Sequence, residues 1–191
     1  MTRRITVLAA LLVLLLAGCS TSQEDAVQEA LNFRTSLLAA DNCTFTADVT
    51  ADYGERVGNF TLECTYSPST NAAELTVTAP DFIAGISAAV DGEEADVTFE
   101  DVSLELGTLA GGQVAPLQLP QLLGDAWTYS YVESQSEEGD GILVTYRSGY
   151  DQDELLVFTR FDSSMTPVQA EVYCDGVCVL TAALSEYTVN S

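Results

Sequence analysis

Five cysteines stand at positions 19, 43, 64, 174 and 178, and the chain contains no histidine and no lysine. These facts bound the chemistry at once. Without imidazole there is no Ser-His or Cys-His nucleophile and no histidine metal site. Without a lysine amine there is no Schiff base and no Ser-Lys dyad. Cys174-Asp175-Gly176-Val177-Cys178 lacks the Cys-x-x-Cys spacing, and no neighbouring cation lowers a thiol pKa, so a redox role does not follow. The four later cysteines also lack zinc-ligand spacing. Carboxylates remain, 29 in all, but no pair is singled out for glycoside hydrolysis. Asp151, Asp153 and Glu154 cluster, as do Glu93, Glu94 and Asp96; neither group matches a calcium loop, and both read as solvated turns. The sequence predicts no catalytic residue, no metal and no cofactor.

Cys19 has a different context. Arg3 and Arg4 form a positive start, an apolar run extends from Ile5 to Leu16, and Leu16-Ala17-Gly18-Cys19 follows. The run has signal-peptide length and is short for a bilayer span. Leu-Ala-Gly-Cys resembles the lipobox of bacterial lipoproteins, in which small residues admit the protease and the cysteine thiol takes the lipid. That resemblance implies a cleaved signal over residues 1–18, a lipidated Cys19 and a tether over 19–23. It places the rest of the chain on the extracytoplasmic face of a membrane, at the cell surface or the periplasmic side. The alternatives are an ordinary secretory signal or a short transmembrane anchor. Several acyl chains on one cysteine anchor far more firmly than one.

Beyond residue 18, four arginines (Arg34, Arg56, Arg147, Arg160) face all 29 acids, an excess of 25 negative charges. Nothing in that balance could neutralise nucleic-acid phosphates. It fits a soluble, self-repelling domain that depends on lipid, not charge, to meet a membrane.

Four cysteines in an exported domain suggest two disulfides. A hairpin centred on Ala51–Arg56 places Cys43 opposite Cys64, Phe45 opposite Leu62 and Thr46 opposite Thr61. An Asp-Gly turn lets Cys174 pair with Cys178. Long-range bridges between the two hairpins are the alternative.

The elements that carry these residues follow from periodicity. A helix is expected over 24–40, with Val27, Ala30, Leu31, Arg34 and Leu38 on one face and Thr21 and Glu24 as a capping box. About eleven strands follow, at 43–50, 57–66, 72–79, 84–91, 95–100, 102–106, 126–134, 141–149, 154–162, 167–174 and 178–189. A glycine-bearing loop at 107–115 and a short helical insert at 116–123 separate the two groups. Trp127, Tyr129 and Tyr131 share one strand face in this reading; Ile142, Val144 and Tyr146 share another, and Leu155, Val157 and Phe161 a third. An antiparallel sheet of this size must curl or split. The expected fold class is α+β: a strongly curved, unclosed half-barrel with helices on its concave face, formed by one domain over 24–191.

The lipobox, the helix over 24–40 and the run from Ala73 to Ala126 carry a further likeness. In that run Glu74-Leu75-Thr76-Val77-Thr78-Ala79-Pro80 leads into Ile83-Ala84-Gly85-Ile86. Val97-Thr98-Phe99, Leu104-Glu105-Leu106-Gly107, Pro116 and Leu119-Pro120-Gln121-Leu122-Leu123 follow. The layout resembles the LolA/LppX-LprG group of bacterial lipoproteins and lipoprotein carriers. The resemblance implies a helix-lidded half-barrel that binds lipid or acyl chains. It fixes no individual ligand residue. Leu122, Leu123, Trp127, Tyr129 and Tyr131 are the cavity candidates, set against an ordinary closed core. Two functions are expected in competition. One is the holding of a lipid or other hydrophobic ligand without catalysis. The other is a non-catalytic scaffold that docks an envelope protein.

Overall fold

The computed structural model describes residues 21–91, 94–99, 102–107, 109–110, 113–147 and 155–191. Helix α1 spans Thr21–Leu38. Six strands follow: β1 (Asn42–Asp52), β2 (Val57–Ser67), β3 (Ala72–Ala79), β4 (Ser87–Asp91), β5 (Glu94–Phe99) and β6 (Val102–Gly107). A two-residue pair, β7 (Leu109–Ala110) and β8 (Gln113–Val114), leads to a 3-10 turn at Pro116–Gln118 and helix α2 (Leu119–Thr128). The chain finishes with β9 (Tyr131–Glu138), β10 (Gly141–Arg147), β11 (Leu155–Phe161), β12 (Pro167–Cys174) and β13 (Val177–Asn190).

Eleven strands form one antiparallel sheet in the order β6-β5-β4-β3-β2-β1-β13-β12-β11-β10-β9. Each half is a meander, and the halves meet where the first strand pairs with the last, Asn42 opposite Asn190 and Ala51 opposite Leu180. β6 and β9 do not pair, so the sheet is an unclosed half-barrel. The β9 edge carries Glu133, Glu137 and Glu138, charges that discourage further strand addition.

Alternation decides which face is buried. In β1, Cys43, Phe45, Ala47, Val49 and Ala51 turn to the core, while Thr44, Thr46 and Asp48 turn away. The same period puts Ile142, Val144 and Tyr146, then Val157 and Phe161, on the core face as expected. Both helices pack on that side.

Three sequence expectations need correction. The strand expected over 126–134 starts only at Tyr131, because the helix runs through Thr128. Leu119, Leu123, Ala126 and Trp127 are buried at helical, not strand, spacing. The buried face of α1 is Ala30, Phe33 and Leu37; Val27, Leu31 and Leu38 are exposed. The helix is rotated because Phe33 joins an aromatic cluster and Arg34 reaches α2. Finally, Thr21–Gln23, expected as tether, are helical. Gly107 ends β6, whereas Gly111 and Gly112 of the expected glycine-bearing loop, the acidic turn 151–154 and residues 1–20 with Cys19 lie outside the described residues.

Gly124 sets how closely α2 approaches the sheet. A Cβ there would overlap the ring of Tyr66 on β2, which is fully buried and has no room to swing away. Alanine in a helix interior gains about 1 kcal/mol over glycine, while overpacking a core costs about 1–3 kcal/mol. Gly124→Ala should therefore lose up to about 2 kcal/mol, read as a lower urea midpoint; a rise would show that α2 can lift freely.

Candidate functional site

The half-barrel interior is closed by aromatic side chains. Trp127 is fully buried and donates Nε1–H to Thr159 Oγ1 at 3.1 Å. Edge-on packing surrounds it: Phe33 at 5.9 Å, Phe45 at 5.7 Å and Tyr187 at 6.0 Å between ring centroids. Phe161 packs on Phe33 at 4.8 Å. Such pairs each add about 1 kcal/mol beyond the area they bury.

The five cavity candidates do not share one hollow. Trp127 and Leu123 are core, Leu122 is partly buried, and Tyr129 and Tyr131 are exposed. The expected common face dissolves because 127 belongs to a helix, 129 to its cap and 131 to a strand. The Tyr129 hydroxyl donates to Pro68 O at 2.9 Å, closing α2 onto the β2–β3 turn.

The cysteine register differs from the expected one by two residues. Cys43 faces Tyr66, and Cys64 faces Phe45. Both thiols point into the core, diagonally placed and unbridged, and burial pushes each up to about 12. Cys174 lies opposite Val177 and Cys178 opposite Tyr173, so the two sulfurs leave opposite faces of their ribbon. The Asp175-Gly176 turn is as expected, with φ of 51° and 76°. Its cysteines do not face one another.

Among the described residues, two hollows outside the core exceed about 300 Å³. The larger, about 600 Å³, lies on the sheet face that carries no helix. Its wall is hydroxyl and carboxylate: Thr46, Glu63, Thr76, Glu74, Asp96 and Glu186 among others. Thr46 donates to Glu186 there at 2.9 Å. A lipid chain gains nothing from such a wall. The second, about 390 Å³, opens between α1 and the β11–β12 turn. Phe33, Leu37, Met165, Tyr187 and Val189 supply apolar surface; Glu29, Asn32, Ser36, Ser164 and Thr166 rim it. This groove is the candidate site. Sequence reasoning missed Met165 and Val189 because strand-end residues from distant segments meet only once β13 pairs with β1.

Arg34 fixes the helix that forms one wall of the groove. Its Nε donates to Trp127 O at 2.9 Å, and one terminal nitrogen donates to Ser130 O at 2.6 Å and Ala126 O at 3.3 Å. These carbonyls belong to the end of α2, where backbone acceptors are orphaned and a cation meets the negative end of the dipole. Gln121 Nε2 donates to Asn71 O at 3.0 Å and to Asp125 Oδ1 at 3.2 Å, and Tyr66 donates to Asn71 Oδ1 at 2.7 Å. Burial raises the Asp125 carboxyl above its usual value, opposed by hydrogen bonds from Asn71 and Gln121.

No family model matches the chain, and no curated protein matches it. The chain's own topology is the unclosed half-barrel with helices on one face that was expected from the sequence. Among solved structures, the chain is similar to LolA superfamily protein NE2245 from Nitrosomonas europaea. The identity is 11%, the match covers 85% of this chain and 94% of that one, and the TM-score is 0.46. It is similar to lipoprotein LppX of Mycobacterium tuberculosis at 14% identity, covering 85% and 93%, with a TM-score of 0.41. A putative outer membrane lipoprotein-sorting protein domain from Vibrio parahaemolyticus is similar at 6% identity, covering 88% and 93%, with a TM-score of 0.46.

Two measurements test this wall. Arg34→Gln removes charge-assisted bonds to three partly buried carbonyls and should cost about 3 kcal/mol of unfolding free energy in denaturant titration; a loss under about 0.5 kcal/mol would mean solvent replaces the guanidinium. For Asp125, the folded-state pKa exceeds the unfolded one, so the folded state holds the proton longer. Stability therefore falls as pH rises from the ordinary carboxylate value through the raised one. Asp125→Asn should stabilise the protein relative to the parent at neutral pH and lose that advantage in acid.

Proposed function

We propose that the chain is a lipoprotein, anchored through lipid on Cys19, that holds one hydrophobic ligand against α1 without catalysis. The observation that carries this reading is the groove of about 390 Å³ with Phe33, Leu37, Met165, Tyr187 and Val189 in its wall. It falls at the lower end of the roughly 300–1,000 Å³ typical of small-molecule pockets. The aromatic cluster behind it closes the deeper interior. A single acyl chain fits that shape better than a lipid with two long chains. The polar rim of Glu29, Asn32, Ser36, Ser164 and Thr166 suits a headgroup or the water at the mouth.

The lipobox supports the anchor. With Thr21 already helical, only Ser20 separates the lipidation site Cys19 from α1, so the groove stays close to the bilayer. A domain held that close does not shuttle. Holding or receiving a ligand at the membrane surface suits it better than carrying one across a compartment.

Organic extraction of the purified chain followed by mass spectrometry should return a single-chain lipid, and a fluorescent fatty acid should bind with 1:1 stoichiometry. Ser36→Trp, which fills the groove from its exposed rim, should abolish uptake while leaving the unfolding midpoint in place. Unchanged uptake in that variant, or no uptake by the parent, would sink the ligand reading. The anchor is read separately: intact mass should show acylated Cys19, and Cys19→Ser should leave the membrane fraction.

A further inference from the structure

A second surface lies at the far end of the strands. Three successive turns, β12–β13, β1–β2 and β3–β4, and the end of β5 beyond them sit side by side along one end of the sheet. Each presents one large apolar side chain to solvent: Val177 at 61% exposure, Val57 at 59%, Phe82 at 81% and Phe99 at 38%. Neighbouring strands lie about 4.8 Å apart, so consecutive turns are about 10 Å apart and the row runs about 30 Å. Where the β3–β4 turn begins, a hollow of about 280 Å³ is walled by Val49, Phe60, Ala79 and Pro80 on one side and by Asp48, Thr50, Asn59 and Thr61 on the other. Isolated exposed apolar residues are ordinary; four in a row along one end of the sheet form a patch.

The charges around the row have one dominant sign. Asp52, Glu55, Asp81 and Asp175 stand in or next to these turns, against Arg56 alone among their described residues. Two identical acidic rims repel one another, which disfavours a second copy of the chain. An anionic bilayer is disfavoured for the same reason. A surface that sets apolar side chains among cations is complementary to this one.

Position gives an independent argument, which rests on the proposed anchor at Cys19. Glu29 lines the groove with Ser164, Thr166 and Val189, at the end of the sheet where β11 and β13 finish. At 1.5 Å per helical residue, Thr21 is only about 12 Å from Glu29. The row of turns is at the opposite end of the strands, about 35 Å away along the 11 residues of β1. The ~12 Å from Glu29 to Thr21 is about a third of that length, so the start of α1 stays apart from the row.

We propose that the row formed by Val57, Phe82, Phe99 and Val177 is a docking surface for a partner protein, whose contact segment places apolar residues between lysines or arginines. The turns supply shallow apolar contacts at the spacing of alternate strands, and the acidic rim steers and orients the basic segment. Phe82, the most exposed of the four, is the anchor of the contact.

The probe is a synthetic peptide of alternating lysine and leucine, compared with the same peptide carrying glutamate for lysine. Each is titrated into the full mature chain and followed by backbone amide NMR. The cationic peptide should shift the amides of 53–57, 81–85, 99 and 175–178, and the acidic one should not. The Val57→Thr/Phe82→Ser/Val177→Thr variant, whose changes are all on exposed side chains, should lose at least tenfold in affinity. Its unchanged thermal midpoint would show that folding is intact. Shifts confined to α1 and 164–166, equal binding of both peptides, or an unchanged affinity in the variant would overturn the proposal. So would row-dependent flotation of the unlipidated chain on phosphatidylcholine or phosphatidylglycerol vesicles, or a row-dependent dimer in sedimentation. None of these readouts requires lipid on Cys19 or a ligand in the groove, so either reading can fail without deciding the other.

Discussion

The guanidinium of Arg34 is the clasp on which the helical side of the molecule depends. α1 is joined to the sheet at its C-terminal end, where Asp41 N–H donates to Asn190 O at 2.9 Å. α2 lies in the passage that takes the chain from one sheet edge to the other. Nothing in their backbones ties these two helices together. Arg34 does so by supplying donors to the last carbonyls of α2, a task the planar fork suits and a lysine ammonium does not. In a chain with so few cations, spending one on backbone oxygens instead of on any of 29 carboxylates marks what that site needs. With the clasp closed, Phe33 is pressed onto Trp127 and Phe161, and the aromatic cluster is complete.

The strands were largely legible because their signal is local. β-branched and aromatic residues alternate with polar ones, and turn residues fall between them, so eleven strands emerge from spacing alone. The misreadings share a cause. Tyr129 and Tyr131 alternate with Trp127 as a strand would, but Leu119, Leu123, Ala126 and Trp127 also repeat as a helix would, and burial beneath Tyr66 and Thr159 favoured the second period. The face of α1 offered two apolar stripes, Val27-Leu31-Leu38 and Ala30-Phe33-Leu37. The aromatic partners of Phe33 and the carbonyl partners of Arg34, more than 90 residues away, choose between them. The two-residue error in cysteine register preserved which face each thiol takes but moved its neighbour, which is all a bridge depends on.

What the interior does with its volume bears on binding. A half-barrel offers a deep concave space, and here Trp127, Phe45, Phe33 and Tyr187 occupy it. Among the described residues, the hollows named above lie at the margins: along the edge of α1, on the polar face and near the turns. A ligand along α1 is half covered at best, and its residence is set by side chains that water also reaches. The apolar groove and the hydroxyl-lined hollow lie on opposite faces of the same sheet, so occupation of one need not disturb the other.

The pairing of β1 with β13 has a consequence for how the molecule comes into being. Each meander can form from neighbouring residues, but the seam between them joins Asn42 to Asn190 and Ala51 to Leu180. A chain emerging from its N-terminus, whether from a ribosome or through a translocation pore, cannot close that seam until its final strand is free. Until then the centre of the sheet is an open edge with apolar Phe45 and Val49 uncovered beside it. Contacts of such long sequence separation form slowly. The last fourteen residues of the sheet thus act as its keystone, and a truncation that left most of the chain intact would leave two unjoined halves.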